Sequence, residues 1–407
     1  MTDGLRRIAM VSMHTSPADQ PGSGDAGGMN VAILALASHL ARRGVEVDLL
    51  TRATAEPEAR ELADGVTLRT LAAGPLSPIP KNQLVDVADE FGEAVATLVG
   101  RTAPRYDLIH SHYWLSGLAT LPVAIELGLP FVQSFHTLAA MKNRMLAPGA
   151  VPEHEGRLRG EAFLGNQADA VVAGSAVEVG ALIDDLHAPA EKLWVIPPGV
   201  DDELFTPDRA RNDASLRERL GIPADRPILV IAGRVQPLKD QELGIRILAE
   251  LSMVAPSPIL VIAGEATDVA YRARLDQAAI LNNVEADVRF VGALDRATLA
   301  DLLAVAECTL VTSYSETFGL VALESAASGT PVVAYRGTGL VESVSDGESG
   351  YLVDSRDPAD WASAILSHRM DGGRVAAMRR SARAFAAGFT WATAAASHLA
   401  LYESLVR

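Results

Sequence analysis

The chain is poor in cysteine and in long apolar runs. Its only cysteine, Cys308, lies in the run CTLVT, which predicts a buried strand. A single thiol excludes an internal disulfide and a thiolate metal site, and this usage is typical of the cytosol. No uninterrupted apolar stretch can span a bilayer, and the run that follows Arg7 ends at His14, too early for a signal peptide. The sequence therefore predicts a cytoplasmic protein.

Basic residues are outnumbered by acidic ones. The chain has 35 Lys and Arg against 51 Asp and Glu, a formal net charge of −16. Nucleic acid and anionic membranes select basic surfaces, so both are disfavoured as partners, and a phosphate ligand would need a local group of cations. A hydrophobic content of 49% is ordinary for a packed protein, and 407 residues are too many for one core. We therefore expect two domains that bind small molecules.

Several catalytic and metal-binding motifs are also absent. The chain lacks G-x-S-x-G and H-E-x-x-H, which removes the simplest hydrolase interpretations. It has no D-x-D triplet, so a metal-held diphosphate lacks its usual ligands. His110 and His112 share a strand face, but no third ligand stands at a suitable spacing. We therefore assign no metal and no required cofactor.

Apolar strands alternate with helices in two series, separated by Pro197-Pro198-Gly199 and a polar stretch from Asp201 to Asp225. Right-handed crossovers then give two α/β domains, each a doubly wound parallel sheet of the Rossmann type. The predicted division is 1–197, 198–388 and a final helix in 389–407. The predicted strands are Arg7–Met13, Val45–Thr51, Val66–Leu71, Asp107–Ser111, Phe131–Ser134, Trp194–Ile196, Ile228–Ala232, Ile259–Ala263, Val288–Val291, Cys308–Thr312 and Pro331–Tyr335.

The segment 308–334 combines a strand, a polar loop, a helix predicted from Phe318 to Ser328, and a second strand. The loop opens at the carboxyl edge of a sheet, where ligands bind. The amides of Phe318, Gly319 and Leu320 would form a helix N-terminus that attracts a phosphate.

Two carboxylates flank this helix N-terminus, Glu316 and Glu324, roughly 12 Å apart at about 1.5 Å per residue. One could hold sugar hydroxyls and the other ribose hydroxyls, with a diphosphate between them. The alternative is a capping glutamate and a solvated surface glutamate.

Cations and a histidine follow other predicted strands. Arg234 and Lys239 come after the strand that ends before Gly233, and could neutralise a departing diphosphate. His136 follows Phe131–Ser134, where its imidazole could donate to a sugar hydroxyl or to developing charge. Solvated loop cations and a structural histidine are the alternatives.

The glycine-rich loop 22–27 matches the dinucleotide fingerprint G-x-G-x-x-G, with Asp48 as a candidate ribose ligand. This supports an alternative function, an NAD(P)-dependent oxidoreductase. The fit is poor, because residues 14–21 separate the first glycine from the strand end. A second interpretation of the glycine-rich loop is that it is long and closes, with His14, Asp25 and Asn30, over a polyhydroxylated ligand. A third is that the loop has no functional role.

The combination of Gly27-Gly28, Gly233-Arg234 with Lys239, and the E-x7-E pair Glu316 and Glu324 resembles the retaining glycosyltransferases of family 4 over nearly the whole chain. The segments SMHTSPADQPGSGDAGGMN, HSHYWLSG and HTLAAMKN are similar to members that start mycothiol synthesis. The resemblance implies the two-domain GT-B fold, with the final helix crossing back onto the first domain. It also implies transfer of N-acetylglucosamine from UDP to 1D-myo-inositol 3-phosphate. A family 4 enzyme with another sugar or cyclitol acceptor is the alternative.

The resemblance also implies roles for individual residues. Catalytic roles fall to His136, Glu316, Arg234 and Lys239. Donor contacts are expected at Gln20, Pro21, Gly28, Arg234, Lys239, Glu316, Phe318, Gly319, Leu320 and Glu324. Acceptor contacts are expected at His14, Asp25, Asn30, Lys81, Tyr113, Thr137 and Arg157, the last four near the phosphate. The chain departs from the family at Leu294, usually an arginine beside the uracil, and at Asp240, usually a small residue. A homodimer is compatible with the resemblance, and the sequence does not decide the oligomeric state.

Overall fold

The computed structural model of the protein describes residues 5–370 and 372–406, in which strands and helices alternate. The strands are β1 (Arg7–Val11), β2 (Glu46–Arg52), β3 (Ala59–Ala63), β4 (Val66–Leu71), β5 (Leu108–His112), β6 (Phe131–Ser134), β7 (Ala170–Ala173), β8 (Leu193–Val195), β9 (Ile228–Ala232), β10 (Ile259–Ala263), β11 (Val288–Gly292), β12 (Cys308–Val311), β13 (Val332–Tyr335) and β14 (Gly350–Val353). The α-helices are α1 (Gly28–Ala41), α2 (Ala88–Arg101), α3 (Trp114–Leu127), α4 (Ala139–Arg144), α5 (Glu155–Gln167), α6 (Ala176–Asp184), α7 (Asp213–Leu220), α8 (Gln241–Ser252), α9 (Val269–Leu281), α10 (Arg296–Val305), α11 (Leu320–Ala327), α12 (Leu340–Ser343), α13 (Pro358–Arg369), α14 (Gly372–Ala386) and α15 (Trp391–Leu405). Short 3₁₀ segments lie at Lys81–Val87, Ala190–Lys192, Pro207–Asn212, Pro237–Lys239 and Glu285–Asp287.

Within the described residues the strands form two sheets, one of eight strands and one of six. The first has the order β3-β4-β2-β1-β5-β6-β7-β8 and is parallel except for β3 against β4. The second has the order β11-β10-β9-β12-β13-β14 and is parallel throughout. The strand order reverses between β1 and β5 and again between β9 and β12, and such switch points open crevices for ligands. The predicted α/β class with two doubly wound sheets is confirmed.

Central strands of both sheets are almost entirely buried. β1 (RIAMV) has five buried residues, and β10 repeats the sequence ILVIA of β9. Because helices cover both faces of each sheet, β9 and β10 are apolar at every position instead of alternating, and β1 departs from this pattern at Arg7. The predicted bounds of β4, β6, β9 and β10 match the structure, and the continuous apolar runs of β9 and β10 end at Gly233 and Gly264.

The predicted helix at Phe318 begins two residues later, at Leu320. Gly319 has φ +97°, a left-handed conformation that suits glycine, and it caps the helix. Phe318 therefore lies in the loop, where its buried ring contacts Phe389 at 5.8 Å between centroids.

The last helix, α15, lies beside α1, on the first sheet rather than on the second. Its residues Trp391, Leu401 and Tyr402 share a core with Ile8 and Met10 of β1. The chain returns to the first half beside the segment by which it left, and the Val200 amide of that segment donates to the Phe389 carbonyl at 2.9 Å. None of the helices in the described ranges is long and apolar enough to cross a bilayer.

Candidate active site

Loops that follow β1, β5, β6, β9 and β12 meet between the two sheets. They enclose a cavity of about 250 Å³, lined by His14, Tyr113, His136, Arg234 and Glu316 among others. A second cavity of about 850 Å³ shares part of this wall and extends towards α5. The strand-edge positions predicted from the sequence therefore converge on one cleft, because parallel strands bring their carboxyl ends to the same edge.

Glu316 is held at the floor of the cleft by two donors. The Lys239 ammonium forms an ion pair with its Oε1, and the Ser313 hydroxyl donates to the same oxygen at 2.7 Å. Lys239 is itself fixed, since its carbonyl accepts from the Thr312 hydroxyl at 2.7 Å. Neither contact involves the Oε2 of Glu316.

The N-termini of α1 and α11 lie together above this floor. Gly28 begins α1, and a Cβ added there would lie 3.3 Å from Cδ1 of Leu320, the first residue of α11. A Cβ on Gly319 would lie 2.6 Å from Cδ2 of Leu340, so glycine is required there for space as well as for its φ. Two positive helix ends therefore face one cavity, an arrangement that attracts a diphosphate.

Glu324 lies in a smaller cavity of about 190 Å³ between the two halves, together with Pro21 and Gly28 of the first half and Leu294 of the second. Its buried carboxylate pairs with Nη1 of Arg296 at 2.5 Å. Arg296 was not predicted from the sequence, although its position at the start of α10, directly after the capping Asp295, was a usable signal. The structure thus provides an arginine two residues after Leu294.

Asp240 does not weaken the positive charge near Lys239. It has φ +47°, caps α8 and pairs with Nη2 of Arg356 at 2.5 Å. Its charge is therefore offset locally.

The four residues expected near the acceptor phosphate come together from four separate segments. Nζ of Lys81 lies 4.8 Å from the ring centre of Tyr113, and the Arg157 guanidinium lies 5.0 Å from the same ring. Nη2 of Arg157 donates to Oγ1 of Thr137 at 3.0 Å. Burial lowers the pKa of Lys81, and the nearby Arg234 and Arg157 lower it further while Asp25 opposes them.

Asp25 connects the two groups of cations. Its Oδ1 lies 3.6 Å from Nζ of Lys81 and 3.3 Å from Nη1 of Arg234. Asp25 thus bridges a predicted acceptor residue and a predicted donor residue across the cleft.

Two further residues beside these cations, Lys142 and Glu153, were not predicted from the sequence. Lys142 lines both cavities, and its ammonium donates to Glu153 at 2.8 Å. Glu153 also pairs with Nη1 of Arg157 at 2.9 Å. Lys142 stands in the segment HTLAAMKN and could have been considered, but Glu153 follows the mostly apolar loop MLAPGAVP, which carries no local signal for it.

Histidines line the inner wall of the cleft. The ring of His14 lies 4.3 Å from that of Tyr113, and Nε2 of His136 lies 2.9 Å from Nδ1 of His112. Burial lowers the pKa of His136 to about 4, and it lowers the pKa of His14 well below its usual range, assisted by the Lys81 charge. Both rings are therefore neutral near pH 7.

Asn30 and Gln20 are not among the residues that line these described cavities. The Asn30 side chain donates to Oγ1 of Thr15 at 3.0 Å and to the Ser16 carbonyl at 2.7 Å, and accepts from Gly27 at 2.9 Å. These hydrogen bonds hold the segment around the glycine-rich loop against the start of α1. Gln20 is exposed on that loop. Their proposed ligand contacts stay predictions.

The dinucleotide interpretation of the loop disagrees with the structure. Asp48 is buried and bonded to Arg7 at 2.6 Å, Arg69 at 2.7 Å and Tyr106 at 2.5 Å, so it is not available to a ribose. The loop instead reaches the second half, where the Gly24 amide donates to Glu265 at 2.7 Å.

His110 of β5, considered above as a metal ligand with His112, has hydrogen-bond partners within the protein at both ring nitrogens. Nδ1 of His110 lies 2.7 Å from the Tyr402 hydroxyl, and its Nε2 lies 2.9 Å from Oγ of Ser134. In the part of the chain that the structure describes, no group of three or more His, Cys, Asp or Glu side chains is arranged to hold a metal ion.

Comparison with known proteins agrees with this architecture. The family model Glycosyltransferase Family 4 matches residues 26–204, and the model Glycosyl transferases group 1 matches residues 212–385. The chain is 41% identical to the D-inositol 3-phosphate glycosyltransferase of Acidothermus cellulolyticus, over 98% of this chain and 90% of that protein. It is 44% identical to the D-inositol 3-phosphate glycosyltransferase of Thermobifida fusca, over 89% and 85% of the two chains.

Solved structures share the fold. Sucrose-phosphate synthase from Thermosynechococcus elongatus superposes with a TM-score of 0.88 at 31% identity, covering 98% of this chain and 99% of that one. Anabaena Alr3699/HepE in complex with UDP and glucose superposes with a TM-score of 0.77 at 22% identity, covering 98% and 99%. The chain therefore belongs to glycosyltransferase family 4, and it is a glycosyltransferase with the two-domain GT-B fold.

Proposed function

We propose that the enzyme transfers N-acetylglucosamine from UDP-N-acetylglucosamine to 1D-myo-inositol 3-phosphate with retention of the α configuration, the first step of mycothiol biosynthesis. The observation that carries the proposal is the convergence of Lys81, Tyr113, Thr137 and Arg157 on one cavity beside the predicted sugar site. The names of the relatives that match over nearly the full length support the acceptor.

The acceptor phosphate would lie against Lys81 and Arg157. In a chain of net charge −16, a group of cations that faces a cavity, with Arg157 buried and Lys81 partly exposed, favours an anionic partner. Asp25 and Glu153 supply part of this charge in the free enzyme. A phosphate can supply the rest through charge-assisted hydrogen bonds of about 1.5–3 kcal/mol each.

The donor diphosphate would lie between Arg234, Lys239 and the N-termini of α1 and α11. Glu316 would accept hydrogen bonds from sugar hydroxyls through the oxygen that Lys239 does not hold, and Glu324 would accept from the ribose. This placement agrees with the cavities, because the 190 Å³ cavity of Glu324 shares Arg234, Lys239, Glu316 and Gly319 with the central one.

Transfer would proceed on the front face of the donor sugar. The acceptor hydroxyl oxygen forms a bond to C1 as the bond from C1 to the phosphate oxygen breaks, and that phosphate oxygen takes the hydroxyl proton. Arg234, Lys239 and the helix amides stabilise the charge on the departing UDP. Glu316 orients the sugar and forms no covalent bond.

The proposed division of the chain is 1–197 for acceptor binding, 198–388 for nucleotide-sugar binding, and 389–407 as a helix that returns to the first domain. The separate sheets and the contact of α15 with α1 support it. A homodimer stays a prediction that a solution mass measurement would check.

The function is tested by incubating the enzyme with UDP-N-acetylglucosamine and 1D-myo-inositol 3-phosphate. We expect stoichiometric release of UDP and a product whose anomeric proton has the small coupling constant of an α-glycoside. Activity should persist in EDTA, because the chain lacks a D-x-D triplet. A β-linked product, or transfer only to another sugar or cyclitol, would overturn the proposal. Complete loss of activity in EDTA that one metal restores would contradict the prediction that no metal is needed, but not the proposed substrates.

A further inference from the structure

His112 lies directly behind His136, the histidine expected at the reacting sugar. His112 ends β5, and His136 follows the neighbouring strand β6, with His112 paired to Ser134 in the register. Nδ1 of His112 is 2.9 Å from Nε2 of His136, and the ring centres are 5.1 Å apart. From the sequence, His112 was interpreted as one of two histidines at a strand end, with His110, and no further role was predicted for it.

The shared hydrogen bond contains a single proton. Burial lowers the pKa of His112 well below its usual range and that of His136 to about 4, so both rings are neutral near pH 7. One facing nitrogen must then donate and the other accept.

The other nitrogen of His112 indicates which ring donates. Its Nε2 is enclosed by protein and has no hydrogen-bond partner among the described residues. A buried N–H without an acceptor is rarer than an unpaired acceptor, so Nε2 is the unprotonated nitrogen of His112. His112 therefore donates from Nδ1 to Nε2 of His136, and the proton of His136 is on its Nδ1.

Neighbouring groups fix the ring of His112. It lies against His110, with ring centres 4.1 Å apart, and His110 is held by Ser134 and by Tyr402 of α15. On the other side, the His136 backbone has φ +60°, and its carbonyl accepts from Oγ1 of Thr317 at 2.8 Å. A turn of either ring would break the hydrogen bond between Nδ1 of His112 and Nε2 of His136.

We infer that His112 is a positioning residue that holds His136 in the Nδ1–H tautomer, so that His136 presents an N–H donor to an oxygen of the donor sugar in the cleft. This inference rests on the proposed function only for the identity of that sugar. Without His112, His136 would populate both tautomers, and part of the enzyme would present a lone pair to the sugar.

The tautomer is tested directly by NMR of ¹⁵N-histidine-labelled enzyme without substrates, with the His136 signals assigned through His136→Gln. We expect Nδ1 of His136 to be protonated in the wild type and in His112→Asn, whose amide can donate from nearly the same position. In His112→Phe both tautomers should appear. A wild-type His136 protonated on Nε2 would overturn the inference whatever the acceptor is.

Kinetics provide the second measurement. His112→Phe should lower kcat about tenfold, equivalent to one hydrogen bond of about 1.4 kcal/mol, with UDP affinity within twofold of the wild type. His112→Asn should recover most of kcat, and His39→Phe, at a half-buried position near the end of α1, is the control. An unchanged kcat in His112→Phe, or equal losses of kcat and UDP affinity, would overturn the role. Failure of the wild type to use inositol phosphate would instead refute the proposed acceptor.

Discussion

At the scale of single residues, Glu316 is the most informative position in the donor site. Its carboxylate is held by Lys239 and Ser313 through Oε1. We predict that Glu316→Ala lowers kcat at least tenfold, because charge-assisted hydrogen bonds to the sugar are lost, but weakens UDP binding less than threefold. Steady-state kinetics with UDP titration calorimetry measures both.

The control for this prediction is Ser313→Ala, which removes a neighbouring donor and keeps the Glu316 charge. Comparable losses of turnover and UDP affinity in Glu316→Ala would mean that the carboxylate supports the loop or Lys239 and does not hold the sugar.

Glu178 gives a prediction about stability. Burial raises its pKa to about 7 from an ordinary 4.5; among the described residues its Oε2 accepts a hydrogen bond from the Gly174 amide at 2.8 Å and its Oε1 has no partner. The folded protein therefore keeps a proton between pH 4.5 and about 7 that the unfolded chain releases, so this residue makes the protein less stable as pH rises through that window.

We predict that Glu178→Gln is more stable than the wild type at pH 8, by on the order of 3 kcal/mol, with a difference that vanishes towards pH 5. Glutamine still accepts from Gly174 and carries no charge. Urea unfolding at both pH values measures this, with the exposed Glu191→Gln as control. A variant that is less stable at pH 8 would show that the charge is compensated in the folded protein.

Individual site residues could be predicted where they lie shortly after the end of a strand. Tyr113, His136, Arg234 and Glu316 follow β5, β6, β9 and β12 within five residues, and the structure places them in one cleft. Arg296 and Glu153 could not be found in this way, because their contacts with Glu324 and Arg157 depend on how distant segments pack.

At the scale of elements, the last helix is attached to the first sheet by a buried polar contact. The Tyr402 hydroxyl of α15 lies 2.7 Å from Nδ1 of His110 in β5. We predict that Tyr402→Phe lowers the free energy of unfolding by about 1–3 kcal/mol, because it leaves a buried ring nitrogen unpaired. Urea unfolding measures the change.

The matched control for the helix contact is Ser404→Ala, also on α15, whose hydroxyl donates to the Leu401 carbonyl of its own helix at 2.6 Å. Equal stability losses in the two variants would contradict a special role for the contact between Tyr402 and His110.

Element prediction found most of the buried strands but missed β3, β7 and β14; β7 (AVVA) is buried at all four of its positions. β3 has the sequence ARELA, which suits a helix, and four of its five residues are exposed. Pairing with β4 across Asp64-Gly65 makes it a strand, and that dipeptide was an available hairpin signal. β14 is short and begins at Gly350, where a Cβ would lie 2.1 Å from the Val332 carbonyl oxygen, so its conformation is set by β13.

At the scale of the whole molecule, contacts between the halves close the cleft. The Glu342 carboxylate of α12 accepts from the amides of Ala176 and Val177 at 3.0 and 3.1 Å, and so caps α6 of the other half. Oγ of Ser175 donates to the Thr317 carbonyl at 2.6 Å beside it. These partners are more than 140 residues apart in sequence, so no local pattern could have predicted the closed arrangement.

We predict that Glu342→Ala opens the cleft, because two amides at the start of α6 lose their acceptor and the positive helix end loses its charge partner. The radius of gyration from small-angle X-ray scattering should rise, and the KM values for both substrates should rise with it. Glu348→Ala, on the surface of the second half, is the control. An unchanged radius with unchanged KM values would contradict the role of this contact.

The measurement that tests the central claim most directly compares kcat/KM for 1D-myo-inositol 3-phosphate and plain inositol, in the wild type and in Lys81→Ala. Plain inositol leaves the Lys81 and Arg157 cations without a phosphate, so its kcat/KM should be lower by several orders of magnitude. Lys81→Ala should lower kcat/KM for the phosphorylated acceptor roughly ten- to a hundredfold, because it removes a charge-assisted hydrogen bond of about 1.5–3 kcal/mol. It should change kcat/KM for plain inositol little. Similar rates for the two acceptors, or an unaffected Lys81→Ala enzyme, would contradict the account.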